Sequence, residues 1–204
     1  MSSRRHRSKS SVSSLVRKGQ LRIVGGEFGG RWIRYNGDPG TRPMKERVRE
    51  AAFNLVGPAV KGKLVIDLFA GTGAMAFEAL SRGAAHAVLV ERSFPNARLI
   101  RENADSLRVA DRVEVITADT FVWSRHQRVE NERPLLVFCC PPYDYYLSRA
   151  QDVSRLLRDL IRSAATGSLI VVESDHRLDT STLPQAEAWD VRPYPPAVIS
   201  LLEA

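Results

Sequence analysis

Apolar and polar positions fall into blocks along most of this chain. Short apolar runs near 64–69, 86–90, 113–116, 135–139 and 168–173 are separated by stretches whose apolar residues recur at helical spacing. Runs of that length between turn residues predict strands buried on both faces, and the stretches between them predict crossover helices. Strand and helix in alternation imply an α/β fold: a mostly parallel, doubly wound sheet with helices on both faces. Two more β-like runs, near 187–192 and 197–202, follow the fifth strand. No internal repeat is present.

The pattern before residue 60 differs. Leu21–Val24 and Arg31–Tyr35 are β-like and are joined by Gly25-Gly26-Glu27-Phe28-Gly29-Gly30, which reads as a hairpin. After the loop Asn36–Gly40, Val48, Ala51, Ala52, Leu55 and Val56 recur every three to four residues. That spacing predicts a helix opened by Pro43 and stopped by Gly57-Pro58, with Lys45, Glu46, Arg49 and Glu50 on its outer face. Residues 1–20 hold six Lys+Arg, seven Ser and no acid, with almost nothing apolar to fold around. They read as a disordered basic arm. An Arg/Ser-rich, acid-free start is also compatible with an organellar transit peptide, whereas a secretory signal would need an apolar core. Three parts are expected: an arm over 1–20, a hairpin-and-helix extension over 21–60, and an α/β domain over 61–204.

Composition narrows the partners. With 204 residues, 44% of them hydrophobic, the chain can bury one substantial core, and no apolar run approaches membrane-spanning length. Residues 1–50 hold 13 Lys+Arg against 4 Asp+Glu, or +9, leaving 17 against 19, or −2, for the rest. A cationic N-terminal region on a nearly neutral body suits a phosphate-rich partner, bound more weakly as salt rises. Cys139 and Cys140 are adjacent, so they make no disulfide framework, and no His stands at ligand spacing from them. No metal, a reducing cytoplasmic setting and a monomer are expected.

The chemistry concentrates in two places. Leu64-Val65-Ile66-Asp67-Leu68-Phe69-Ala70-Gly71-Thr72-Gly73 is a buried strand that ends in a carboxylate and a glycine-rich turn, followed by the helix formers Ala74 to Leu80. Such a turn cradles a nucleotide-like cofactor. Gly71, Gly73 and Ala76 fit a dinucleotide fingerprint, and Glu91 lies where a ribose-binding carboxylate belongs. Asp67 beside the turn would repel a pyrophosphate but attract the ammonium and sulfonium charges of S-adenosylmethionine. The methyl donor is therefore favoured over NAD.

The second place is Cys139-Cys140-Pro141-Pro142-Tyr143, where another buried strand breaks. Paired prolines make a rigid corner whose preceding carbonyls can accept hydrogen bonds from a planar amine. Tyr143 offers a ring on which a base could stack, worth roughly 1–3 kcal/mol in single-strand binders. The alternative is that the prolines only end a strand and Tyr143 packs in the core.

Through these and further segments the chain resembles the RsmD methyltransferases, which methylate the exocyclic N2 of a guanine in bacterial small-subunit (16S) ribosomal RNA. The resemblance runs from about Leu21 to the C-terminus. It rests on Arg22-Ile23-Val24-Gly25-Gly26, Gly40-Thr41-Arg42-Pro43, Arg47-Val48-Arg49-Glu50-Ala51-Ala52-Phe53-Asn54, the Asp67 loop, Glu78-Ala79-Leu80-Ser81-Arg82-Gly83, the Pro-Pro-Tyr corner and Val172-Glu173-Ser174. It implies a Rossmann-like, seven-stranded class I methyltransferase sheet with an antiparallel closing hairpin.

It also implies that Asp67, Phe69, Ala70, Gly71 and Gly73 hold the methionine end of S-adenosylmethionine. Glu91 would bind its ribose, and Ala118 with Asp119 its adenine. Cys140, Pro141, Pro142 and Tyr143 would form the catalytic corner; Arg42, Lys45, Arg47 and Arg49 are the candidates for contact with RNA phosphate or the substrate pocket, the resemblance favouring Arg42 and Arg47, with the RNA either naked or within an assembling ribosomal subunit. Each has a plainer alternative: Glu91 as a solvated strand end, Asp119 as the cap of a helix from Thr120, the arginines as a solvated helix face paired to Glu46 and Glu50.

The chain departs from the family at Cys140, where the resemblance implies aspartate. Thiol sulfur is a weak acceptor and is mostly protonated near neutrality. A slow enzyme, a changed planar-amine target (adenine, cytosine or a glutamine amide), or a silenced cofactor- and RNA-binding protein would follow. Asp144, four residues on, is the compensating carboxylate that the linear sequence suggests.

Overall fold

The computed structural model describes residues 19–38, 41, 43–126 and 133–204; most of the basic arm and Arg42 lie outside them. β1 (Gln20–Arg22) and β2 (Trp32–Arg34) pair antiparallel as the expected hairpin, followed by α1 (Glu46–Val56). The α/β body runs β3 (Leu64–Asp67), α2 (Ala74–Ser81), β4 (His86–Glu91), α3 (Phe94–Leu107), β5 (Val113–Thr117), α4 (Thr120–His126) and β6 (Leu135–Cys139). It continues with α5 (Tyr145–Ser148), α6 (Ala150–Ser163), β7 (Leu169–Ser174), β8 (Asp190–Tyr194) and β9 (Ala197–Glu203).

The sheet order is β5-β4-β3-β6-β7-β9-β8, parallel except that β9 runs antiparallel to both of its neighbours. Chain order therefore reverses between β3 and β6. In such sheets, the crevice off the carboxyl ends at the reversal is where ligands bind. Asp67 pairs in register with Phe138, so the glycine turn after β3 and the proline corner after β6 emerge side by side. These two segments lie about seventy residues apart along the chain.

Period-two alternation splits the strands between two cores. Val65, Leu136, Phe138 and Val171 face the layer of α1, α2 and α3, whereas Ile66, Val137, Cys139, Ile170 and Val172 face α6 and its neighbours. Cys139 is thus a small core residue, fully buried.

Every residue of α2 is buried because the N-terminal extension covers its outer face. The hairpin seats on the end of α2: Glu27 N–H donates to Ser81 O at 2.7 Å and Phe28 N–H to Ser81 Oγ at 2.8 Å. Gly26, at φ +77°, makes this approach possible, since a Cβ there would stand 2.0 Å from Ser81 O.

Two expectations for α1 are corrected. It begins at Glu46, not at Pro43, because Lys45 is extended at ψ 144°. Arg49 does not lie on its outer face. It is 1% exposed, donates to Met44 O at 2.7 Å and Arg22 O at 2.6 Å, and pairs with Glu78 of α2 at 3.5 Å. Helical periodicity placed Arg49 outside relative to the sheet. The hairpin then closes over that side, so the guanidinium ties three elements together and does not reach out to RNA.

Candidate active site

The glycine turn is built by packing as much as by φ. Gly73 caps α2 at φ +75°, and a Cβ there would meet Phe77 at 2.9 Å, Ile100 at 3.2 Å and Leu89 at 3.3 Å. The turn therefore lies flat against the sheet. Asp67 sits beneath it, 2% exposed, accepting from the backbone N–H groups of Phe69 and Ala76.

Asp67 does not line the adjoining cavity, and neither do Ala70, Gly73 and Ala118. Asp67, Ala70 and Gly73 lie behind the wall that the turn presents, and Ala118 N–H donates to Glu91 O at 3.2 Å. Burial, with Glu91 nearby, pushes the Asp67 carboxyl up to about 7.

The folded protein therefore keeps a proton on Asp67 that the unfolded chain loses near its ordinary 3.8. Between these values the native state binds more protons, so stability falls as pH rises from about 4 to about 7. Denaturant unfolding across that window should show a decline of up to roughly 4 kcal/mol relative to Asp67→Asn. Parallel pH profiles for the two proteins would refute it.

Glu91, at the end of β4, is 8% exposed, which removes the solvated-strand-end alternative. It accepts from Gly71 N–H at 2.7 Å through one oxygen and from Ser93 N–H at 2.7 Å through the other, binding the turn to the next strand. Burial raises its carboxyl above the usual range against these two donors. Asp119 takes up the helix-cap role: one oxygen accepts from Phe121 N–H at 2.9 Å and Val122 N–H at 3.2 Å, and the other faces Arg149 at 3.4 Å. That arginine lies 4.0 Å over the Phe121 ring, and Phe121 meets Phe69 edge-on at 5.6 Å. Arg149 and Phe121 were missed in the sequence because they come from separate segments, Phe121 from α4 and Arg149 from the junction of α5 and α6.

Phe69, Gly71, Glu91 and Asp119 share one cavity of about 410 Å³ with Cys140, Pro141, Pro142 and Tyr143. The volume suits a nucleoside-sized ligand. Pro43, Met44, Lys45 and Val48 form its N-terminal side, so the extension supplies a wall of the site. Arg47 is exposed and donates to Pro195 O, joining α1 to the turn before β9.

At the corner, burial among Glu173, Asp67 and Cys139 holds the Cys140 thiol well above its ordinary pKa, so sulfur keeps its proton. Tyr143 is half-buried, and its hydroxyl donates to Glu173 Oε1 at 2.6 Å. Asp144 is exposed and lines the same cavity. The carboxylate that folding sets beside Cys140 is Glu173, one step past the paired Cys139 and Val172.

The comparisons with known proteins agree with this arrangement. A family model described as Conserved hypothetical protein 95 matches residues 21–195. Ribosomal RNA small subunit methyltransferase D of Escherichia coli is 33% identical over 166 residues, covering 81% of this chain and 80% of that protein. The chain belongs to the RsmD family. A hypothetical protein of Thermus thermophilus superposes with a TM-score of 0.70 at 28% identity, over 90% of this chain and 99% of that one. An RNA methyltransferase of Salinibacter ruber, solved with S-adenosyl-L-homocysteine, shares the fold at a TM-score of 0.59 and 18% identity, covering 79% of this chain and 93% of its own. The match to the RsmD family spans the segments at both walls of the cavity, the N-terminal one included.

Proposed function

We propose that this protein transfers a methyl group from S-adenosylmethionine to the exocyclic N2 of a guanine in small-subunit ribosomal RNA. The observation that carries this reading is the single cavity joining the glycine turn to the Pro-Pro-Tyr corner. The residues that line the cavity fit the donor: Glu91 would hold a ribose diol, Phe69 and the Asp119 side an adenine, and the Gly71 backbone the amino-acid end. When bound, S-adenosylmethionine supplies an electrophilic methyl group on a sulfonium.

The chain's own residues position the acceptor. An amine whose lone pair is delocalised into its ring attacks poorly, so oxygen acceptors must draw on its N–H bonds. The Pro142 carbonyl already accepts from Tyr145 N–H at 2.8 Å, so the acceptors assigned to this purpose are the Cys140 and Pro141 carbonyls, each of which precedes a proline with no N–H. Tyr143, steadied through its hydroxyl, presents a ring edge and face to a base swung out of its stack. With the donor bound, N2 would take its methyl group and give up one proton to water. Lys45 on the cavity wall, the exposed Arg47, and Arg42 outside the described residues are the cations we assign to RNA phosphate.

The test is transfer of labelled methyl to small-subunit particles and to their naked RNA, both from cells lacking the modification. Methylated guanine N2 is the expected product. Label on adenine, cytosine or a glutamine amide would redirect the assignment. A second reading, a silenced cofactor- and RNA-binding protein, draws on the protonated thiol at Cys140. It predicts donor binding and salt-dependent RNA binding without turnover.

A further inference from the structure

Glu173 belongs to no cofactor motif, and the corner sequence alone gives it no part. In the folded chain it stands one residue before the end of β7 at 8% exposure and lines the cavity with Cys140. Two tyrosines from the segment after the corner hold it. Tyr143 donates to its Oε1 at 2.6 Å, and Tyr146, 5% exposed, donates to its backbone O at 2.6 Å. Fixed on the cavity wall, its carboxylate offers oxygens that can accept hydrogen bonds from a ligand there. Glu173 is also preorganised, because neither tyrosine can release it without losing a bond.

Resting on the methyltransferase reading above, we propose that Glu173 reads the acceptor base, its carboxylate pairing with the adjacent N1–H and N2–H donors of a guanine held at the corner. The chemistry discriminates. Guanine alone among the four bases places an amine beside a ring N–H on its Watson–Crick edge. Adenine and cytosine place a ring-nitrogen lone pair beside theirs, and a carboxylate brought to that edge would face the lone pair. An edge read by paired hydrogen bonds is how enzymes that extrude a base recognise it. Glu173 also supplies one of the oxygen acceptors that the thiol of Cys140 cannot. The second N2–H then points toward position 140.

The experiment is a titration, followed by NMR, of the full chain loaded with S-adenosylhomocysteine, using guanosine, inosine and adenosine monophosphates. Inosine keeps N1–H and lacks only the N2 amine. The wild type should prefer guanosine over either by roughly 5- to 150-fold, the range that a bidentate side-chain pair gives to base discrimination. Glu173→Gln should abolish that preference while S-adenosylhomocysteine binding is retained, because its amide presents N–H where a base donor needs an acceptor. Tyr143→Phe should keep the preference in reduced form.

Equal binding of the three nucleotides by the wild type overturns the proposal, even if Glu173→Gln fails to fold. So does a guanosine preference that survives in Glu173→Gln. Methyl transfer separates the two readings. If wild-type turnover on guanine N2 is unchanged in Glu173→Gln, the role of Glu173 falls and the enzyme assignment stands. If the wild type turns nothing over but its guanosine preference depends on Glu173, the reverse holds.

Discussion

Cys140→Asp should raise the rate of methyl transfer to RNA by about 10²–10³-fold, the scale on which enzymes lose rate when one preorganised electrostatic partner is removed. The thiol is held protonated by its surroundings and accepts hydrogen bonds weakly. An aspartate would add a carboxylate oxygen as acceptor for the N2–H that points toward position 140. Asp67 and Glu173 lie close by, so the new carboxyl should itself be pushed up, and the gain should grow from neutral to alkaline pH. Single-turnover kinetics at saturating RNA would place the change in the chemical step. A rate equal to wild type across the pH range would show that position 140 takes no part in activating the amine. Cys140→Ala is the companion variant, and it should match wild type if sulfur contributes little.

The largest effect on stability is expected from Glu78→Ala. Glu78 is 1% exposed and pairs with Arg49 at 3.5 Å and with Arg82, while one oxygen accepts from Val24 N–H at 2.6 Å. Removing it leaves the Arg49 guanidinium buried and opposed by nothing comparable, a situation that costs about 3–5 kcal/mol. That is a large share of the ~5–15 kcal/mol by which domains are stable. Because Val24 leads into the hairpin, its seat on α2 should loosen in the same step. Denaturant unfolding measures the loss, and hydrogen exchange at Glu27 and Phe28 locates it. The double variant Arg49→Met with Glu78→Met should recover most of the stability, since an apolar pair of similar volume removes the buried charge altogether. A loss below about 1 kcal/mol for Glu78→Ala would mean that water reaches Arg49.

The elements were legible because each is a local pattern. The apolar runs at 64–69, 86–90, 113–116 and 135–139 become β3 to β6 with ends shifted by a residue or two. The two runs after the fifth strand become β8 and β9, the antiparallel closure that the resemblance implied. Gly71, Glu91, Asp119, Cys140 and Tyr143 were each visible as a residue type at a strand end, and the crevice rule for open α/β sheets brought them to one cavity.

What stayed hidden depended on three-dimensional neighbours. Periodicity says which face of α1 meets the sheet, but not that a hairpin covers the opposite side, so Arg49 looked solvated and is buried. Asp67 looked like a ligand because of its charge. In the fold it lies under the turn, almost out of water, and accepts from two backbone N–H groups. Asp144 looked like the compensating carboxylate because it is near Cys140 along the chain, whereas Glu173 is near it across two paired strands.

The sequence by itself determined the order of strands and helices, the glycine turn, the proline corner and the family. Those follow from side-chain period and local backbone chemistry, which travel with the residues wherever they fold. Only the tertiary structure decided which charges are buried, which carboxylate stands beside the thiol, and which residues line the cavity as opposed to supporting it. Desolvation and ion pairing depend on atoms brought together from distant segments, and no local pattern records who those neighbours will be.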